Sequence, residues 1–296
     1  MQRTMTHFSH ATQIARSFGL RRALTFWLAA ARAPEMMHGW LTFLDQHMSA
    51  ASRDGLVLRV LRPYMRQHFT AETKHAMLRS HYEAMAQHFV EPAAFAAVPG
   101  VLLATLGGKT EGMYTLHLGG NTSKEGELAF IMRDGAGHAL AALAGTIGAD
   151  EQGQPVLWIG GLQGAKPPIG RDEIVFATRD LFGLRPKGAV LLAAQTFCRE
   201  LGLGALRAPG NEGHISQRGF RRLRSKRKIY ADYGQFWDEV GGTMLRAGEY
   251  LLPIEPLVRD VSEVKRHKRS EWKKRQVVSE ALTASVAAVL TEMKRG

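Results

Sequence analysis

Residues 101–164 decide the fold; they read VLLATLGGKTEGMYTLHLGGNTSKEGELAFIMRDGAGHALAALAGTIGADEQGQPVLWIGGLQG. Short apolar or alternating runs in this stretch are separated by clusters of Gly, Asn and Asp, a pattern typical of strands joined by tight turns. We therefore predict an antiparallel β-meander. Its predicted strands are 101–106, 113–118, 127–133, 138–147 and 156–159.

Helical patterns lie on both sides of this meander. Thr70 is the predicted N-cap of one helix, and Pro92 marks its end. Gly183 is predicted to stop one helix after the meander, and Pro186 to start the next. The predicted helices are 9–31, 38–48, the helix after Thr70, 171–182, 187–201 and 262–294, with one further short strand at 205–208.

These patterns predict an α+β fold in three parts. Residues 1–99 form a helical N-terminal region, and residues 100–260 form an α+β core with a mainly antiparallel sheet flanked by helices. Residues 261–296 form a long basic C-terminal helix packed on the core.

The chain carries a strong excess of positive charge. Its 296 residues hold 39 Lys and Arg against 27 Asp and Glu, a formal charge of +12. The excess predicts an anionic ligand or an anionic membrane surface as partner. The amphipathic segment 9–31 has one apolar side, formed by Ile14, Phe18, Leu24, Trp27 and Leu28. This side has two interpretations: it packs on the domain core, or it lies on a membrane surface together with the arginines of the segment.

Other compositional features limit the cell compartment. No run of 18 apolar residues predicts a spanning helix. The single cysteine, Cys198, lies in an apolar helical pattern, which indicates a buried side chain and excludes an intrachain disulfide. We expect a cytoplasmic protein, or one peripheral at the inner face of the membrane. No metal site is predicted, because the spacings of His68, His75, His81 and His88 do not match a helical ligand pair.

Several motifs together resemble the VirK/YbjX family of bacterial proteins. They are WIGGLQG (158–164), GLRPK (183–187), a polar turn ending at His214, KIYADYGQFWDE (228–239), LPIEPL (252–257) and KRSEWKKR (268–275). The resemblance implies a context of virulence, cell-envelope or lipopolysaccharide integrity and resistance to antimicrobial peptides. It implies no defined reaction.

A more remote resemblance is to the GNAT N-acyltransferase plan, in which a meander ends in a loop that leads into a helix, a strand and a helix. The resemblance implies acyl-coenzyme A as donor and Gln163, Gly164 and Lys166 in the loop that holds its pyrophosphate. The sequence departs from this plan, because Pro167 and Pro168 remove two amides and two helices separate the strands.

The segment 211–239 supplies the other candidate site residues. His214 is the candidate general base, with Glu212 and Ser216 near it in sequence. A turn histidine that caps the next helix is the alternative. Further candidates for binding a substrate or anion are Asn211, Arg221, Arg222, Tyr230 and Asp232, and the last two alternatively belong to a capped helix that packs Trp237 into the core.

A second candidate anion pocket involves Arg185 and Lys187. These residues flank a proline between two helices, and they would form a pocket if their turn faces the 163–166 loop.

Three functions remain open. The first is an envelope-linked enzyme with acyltransferase-like chemistry, and the second is a non-catalytic peripheral membrane or partner-binding protein. The third is a nucleic-acid binder, for which the basic run 218–228 supplies phosphate contacts but few aromatic residues for stacking on bases. The sequence leaves open whether the chain is an enzyme.

Overall fold

The computed structural model describes residues 12, 16, 19–48, 56–66, 68–121, 123–211, 233–246, 248–258 and 260–295. The chain divides into two compact units. Unit 1 comprises Met1–Tyr64 and His68–Arg79, and unit 2 comprises Met65–Gln67 and Ser80–Gly296.

Unit 1 is built from helices. They are α1 (Leu20–Arg32), α2 (Pro34–His47), a 3₁₀ turn (Arg59–Leu61) and the first part of α3 (Ala71–His88), which continues into unit 2. The Thr73 N–H donates to Thr70 Oγ1 at 3.2 Å, which confirms Thr70 as the N-cap of α3. The fully buried Trp40 ring stacks on Phe43 and meets the His75 ring edge-on.

Unit 2 contains the sheet, whose strands are separated by the turns that the sequence indicates. The meander strands are β1 (Val101–Gly107), β2 (Met113–Gly120), β3 (Leu128–Arg133), β4 (Ala139–Ala149) and β5 (Pro155–Gly164). The later strands are β6 (Leu206–Pro209), β7 (Thr243–Arg246) and β8 (Glu249–Leu252).

The helices of unit 2 connect and cover these strands. A 3₁₀ turn, Pro92–Ala96, precedes β1. The helices α4 (Arg171–Asp180) and α5 (Pro186–Glu200) join β5 to β6, and α6 (Tyr233–Glu239) precedes β7. Two 3₁₀ turns (Val261–Glu263 and Arg266–Lys268) lead into the long C-terminal helix α7 (Arg269–Met293). None of the described helices is long and apolar enough to cross a membrane.

The strand order of the sheet is β1-β2-β3-β4-β5-β6-β8-β7. All neighbouring pairs are antiparallel except β5 and β6, which are parallel. A parallel pair needs a long crossover connection, and α4 and α5 provide it. The observed architecture is therefore α+β with a mainly antiparallel sheet, as predicted.

The core of unit 2 lies where α5 and α7 cover the sheet. Phe197 of α5 is fully buried, with its ring centroid 5.6 Å from that of Phe130 and 6.3 Å from that of Phe89. Cys198 is also fully buried, and burial raises the pKa of its thiol. The thiol therefore acts as a small apolar group in the core, as the sequence indicates.

The structure confirms the five meander strands and corrects other expectations. The hairpin β7–β8 was not predicted, because its strands are only four residues long. The C-terminal helix begins at Arg269 and not at residue 262. Packing of segment 9–31 on the core through Leu24, Trp27 and Leu28 is wrong, since all three are exposed and α1 instead buries Phe26 and Ala30. Ile14 and Phe18 of the same predicted side lie outside the described residues.

The Phe197→Ala variant tests the position of this core. We expect the free energy of unfolding to fall by about 3–5 kcal/mol, because the substitution leaves a cavity among buried rings. Phe176→Ala, which removes an exposed phenylalanine of α4, should change it by less than about 0.5 kcal/mol. Denaturant unfolding of both variants measures the difference, and equal losses would contradict the assignment of Phe197 to the core.

Candidate functional site

The parallel strands β5 and β6 pair over a short length and then separate. Their register joins Leu157 to Leu206 and Trp158 to Arg207. Beyond these pairs, β5 continues beside β4 and β6 continues beside β8. The facing edges of the two strands then need other hydrogen-bond partners for their backbone groups.

The guanidinium of Arg66 lies between the separating strands. Its Nη1 donates to the Ile159 carbonyl oxygen at 2.8 Å, and its Nη2 lies 3.5 Å from the Arg207 carbonyl oxygen. The side chain is only 1% exposed, and its Nε is 3.6 Å from Glu249 Oε1. Burial lowers the pKa of Arg66 to about 10, while the nearby Glu249 carboxylate opposes the change. Arg66 is therefore charged at neutral pH, and both strands and a carboxylate compensate the buried charge.

Helix α6 satisfies further backbone groups at the same place. The Leu162 N–H on β5 bonds to the Tyr233 hydroxyl oxygen, and Trp237 Nε1 donates to the Pro209 carbonyl oxygen on β6 at 2.8 Å. The Tyr233 N–H in turn donates to Asn211 Oδ1 at 2.9 Å. Tyr233 and Trp237 are both buried. One short helix therefore bridges the two separated strands.

A buried carboxyl group lies beside this bridge. Glu125 is 7% exposed, and the Gln163 side-chain amide donates to its Oε2. Burial raises the pKa of Glu125, while the hydrogen bond from Gln163 and the charges of Lys124 and Lys166 act in the opposite direction. Burial, followed by the Glu125 charge, raises the pKa of Tyr233 to about 12. The pair consists of a carboxyl that can exchange a proton nearer to neutral pH and a phenol that stays protonated.

Close approach of two backbone segments holds Glu125 in place. A Cβ added at Gly160 of β5 would lie 1.9 Å from the Glu125 carbonyl oxygen. Only glycine leaves enough room for that segment to cross β5 at this residue. Steric crowding thus explains why the first glycine of the pair Gly160-Gly161 in the WIGGLQG motif is a glycine.

An open cleft of about 810 Å³ adjoins the end of β5. Its lining combines arginines with apolar side chains, namely Arg171, Arg179, Arg185, Ile169, Ile174 and Val175. Arg185 pairs with Glu239 at 2.7 Å. In the part of the chain that the structure describes, neither Arg171 nor Arg179 pairs with a carboxylate. The lining suits a ligand that has an anionic head and a hydrocarbon part.

The structure brings the 163–166 loop and the turn at Arg185–Lys187 together. Lys187 is half-buried, and its Cε lies 3.8 Å from the position of a Cβ added at Gly164. Burial, followed by the charge of Arg185, lowers the pKa of Lys187. Lys166 is exposed on the same loop. The geometry is the one that the anion-pocket hypothesis requires, and anion binding by these residues stays a prediction.

The loop does not fit the pyrophosphate of acyl-coenzyme A in the manner that the N-acyltransferase plan requires. Pro167 and Pro168 have no N–H, and the Ile169 N–H donates to the Lys166 carbonyl oxygen at 3.0 Å. The Gly170 N–H, at the start of α4, donates to the Glu173 carboxylate at 2.8 Å. The chain's own carboxylate thus occupies the helix N-terminus where a phosphate would bind.

The remaining sequence-predicted residues are placed as follows. The Asn211 side-chain oxygen accepts a hydrogen bond from the Tyr233 N–H of α6, and binding of a substrate or anion by Asn211 stays a prediction. The candidates His214, Glu212, Ser216, Arg221, Arg222, Tyr230 and Asp232 lie outside the described residues.

Sequence reasoning missed Arg66, Glu125 and Glu249. Arg66 follows Pro63 by three residues, and Glu125 occurs in a turn-like segment, so the sequence favours a surface position for both. Their partners are far away in the chain: Ile159 is 93 residues from Arg66, and Gln163 is 38 residues from Glu125. One local signal was available, because two adjacent glycines inside a strand indicate close backbone approach.

Comparison with known proteins places the chain among bacterial proteins of undefined activity. Residues 17–288 match the model of a family described as "Protein of unknown function (DUF535)". The chain is also 31% identical over 272 residues to the "Uncharacterized protein YbjX" of Escherichia coli (strain K12). That alignment covers 89% of this chain and 82% of the relative. The resemblance inferred from the sequence motifs is thereby confirmed.

Replacing Arg66 tests whether it holds the separated strands together. We expect Arg66→Met to lower the free energy of unfolding by about 3–5 kcal/mol, because two carbonyls lose a donor and Glu249 is left without its cation. The double variant Arg66→Met/Glu249→Gln should recover part of this loss. Arg185→Met, which breaks a solvent-exposed pair, should cost less than about 1 kcal/mol. An Arg66→Met protein as stable as the wild type would contradict this role.

The raised pKa of Glu125 predicts a pH-dependent stability. Between the unfolded and folded pKa values the folded state binds more protons, so the free energy of unfolding falls as pH rises through that window. Glu125→Gln removes this titration. Its stability relative to the wild type should therefore increase from about pH 4 to about pH 7. Denaturant unfolding at both pH values measures this relative stability, with the exposed Glu280→Gln as control. A decrease in the relative stability of Glu125→Gln from about pH 4 to about pH 7 would contradict the raised pKa of Glu125.

Proposed function

The chain belongs to the DUF535 family of proteins of unknown function, and we propose that it binds an anionic amphiphile of the bacterial cell envelope in the arginine-lined cleft. The cleft itself carries the proposal. It combines three guanidinium groups with an apolar wall of Ile169, Ile174 and Val175. A phosphate or carboxylate head would meet the arginines, and a hydrocarbon part would cover the apolar side chains.

The position of the cleft in the sheet supports this proposal. In open α/β sheets, ligands bind beyond the carboxyl ends of the parallel strands, and β5 and β6 form the parallel pair of this sheet. The cleft is lined by Ala165, which directly follows the last residue of β5, and by α4, which begins the crossover to β6. Lys166 and Lys187 add positive charge beside the same loop. The chain thus offers a cationic site at the carboxyl end of a strand that belongs to the parallel pair.

The biological setting is part of the same proposal. The VirK/YbjX resemblance implies virulence, envelope or lipopolysaccharide integrity and resistance to antimicrobial peptides. A phosphate-bearing amphiphile is a component that such an envelope function would use. We place the protein in the cytoplasm or at the inner face of the membrane.

A second candidate function is group transfer on the N-acyltransferase plan. The strand order and the separation of β5 from β6 favour it. Glu125, a carboxyl beside the separated strands whose pKa is raised by burial, would be the base that accepts the proton of an acceptor amine or hydroxyl. The donor in this case is an anionic one bound by side chains in the cleft, because the loop does not fit the pyrophosphate of acyl-coenzyme A.

Titration calorimetry with dodecyl phosphate tests the binding proposal. We expect saturable binding that weakens about tenfold or more in Arg171→Ala/Arg179→Ala, because the head group loses two charged donors. Lys265→Ala/Lys273→Ala removes the same charge from exposed sites outside the cleft lining, and it should bind like the wild type. If both double variants weaken the binding of dodecyl phosphate equally, the binding depends only on the net charge of the protein, and the proposed site is refuted.

The same titration distinguishes the other functions. Saturable binding of acyl-coenzyme A that is lost in Arg171→Ala/Arg179→Ala would favour the transferase and would correct the donor assignment made from the loop. Binding of DNA or RNA in competition with dodecyl phosphate would favour a nucleic-acid binder. If Glu125→Gln restores the envelope function of a deletion strain as fully as the wild-type protein does, Glu125 is not the base.

A further inference from the structure

Helix α1 of unit 1 presents an apolar stripe to solvent. Its large exposed side chains are Leu20 (82%), Leu24 (61%), Trp27 (48%) and Leu28 (46%). At about 100° per residue they cover one arc of about 100° on the helix surface. Phe26 and Ala30 are buried, and they point away from that arc. The helix therefore packs through one face and leaves a second apolar face without a protein partner among the described residues.

Positive charge borders this stripe. Arg21 and Arg32 are exposed and fall at the edge of the arc, next to Leu28 on the helical wheel. Helix α1 contains no Asp or Glu. Across residues 1–34 the chain has five arginines and no acidic residue. The partner of this face must therefore offer an apolar layer and negative charge together.

We propose that α1 docks flat on an anionic phospholipid bilayer. The stripe enters the boundary between headgroups and acyl chains, and Arg21 and Arg32 meet the lipid phosphates. A helix of 13 residues is about 20 Å long. It cannot span a hydrocarbon core of roughly 30 Å, so it lies in the interface. Trp27 is the side-chain type that prefers this depth.

Charge also favours a bilayer over a second copy of the chain as the partner of this stripe. In an antiparallel two-fold dimer through the stripe, the arginine edges of two α1 helices would lie side by side, and in a parallel or an antiparallel dimer α1 of the second copy supplies no carboxylate to pair with them. A phosphate-covered surface supplies opposite charge along the whole helix. The proposed docking of α1 on a membrane rests on the envelope context of the proposed function, but no residue of the cleft takes part in the docking.

Vesicle co-sedimentation of the full chain tests the docking helix. The wild type should bind vesicles of phosphatidylglycerol and phosphatidylcholine and should bind pure phosphatidylcholine weakly. Leu24→Asp should lower the partition coefficient about tenfold or more, since a charge replaces a buried leucine in the interface. Val277→Asp makes the same change at an exposed valine of α7 (64%) and should bind like the wild type. Leu20→Ser is a milder second variant that should also weaken binding.

Other results would overturn the docking helix. They are wild-type-like binding by both Leu24→Asp and Leu20→Ser, an equal loss in Val277→Asp, and a wild-type dimer that Leu24→Asp converts to monomer without any vesicle binding. Arg21→Gln/Arg32→Gln should weaken binding at low salt only. The cleft variant Arg171→Ala/Arg179→Ala should bind vesicles normally, so a failure of the cleft proposal and a failure of the docking helix can be told apart.

Discussion

The buried guanidinium of Arg66 is the interaction on which the centre of unit 2 depends. Two parallel strands that separate expose backbone carbonyls to the interior, and an unpaired buried carbonyl costs about 1–3 kcal/mol. Arg66 has several donors in a planar fork, so one side chain can reach Ile159 on β5 and Arg207 on β6. Its charge in turn requires Glu249 on β8. Three strands are thus tied together by one charged group.

The same strand separation organises the candidate site at this part of the sheet. Arg66 fills one part of the gap between β5 and β6. Tyr233 and Trp237 of α6 bridge another part of it. Glu125 and Gln163 meet beside it, and the arginine-lined cleft follows where β5 ends. In this chain the gap is filled by its own side chains. The proposed ligand would therefore bind outside the gap, in the cationic cleft that adjoins the end of β5.

The fold could be predicted from the sequence further than the site could. Strands separated by glycine-rich turns, Thr70 as a cap and the glycine stop at Gly183 are local signals, and the structure confirms them. The four-residue strands β7 and β8 carry too few residues for a periodic signal. The site depends on contacts such as Arg66 with Ile159 and Glu125 with Gln163, which join distant parts of the chain. A surface residue and a buried ion-pair residue have the same letter in a single sequence, so only the tertiary arrangement distinguishes them.

The lone cysteine has a practical consequence. Because Cys198 is sealed in the core and its thiol pKa is raised, a thiol-reactive dye or spin label will find no native attachment point in the folded protein. A cysteine introduced at one exposed position, such as Leu20 of α1 or Phe176 of α4, would then be the single labelled site. Spectroscopy could follow each region without first removing a residue that fills the interior.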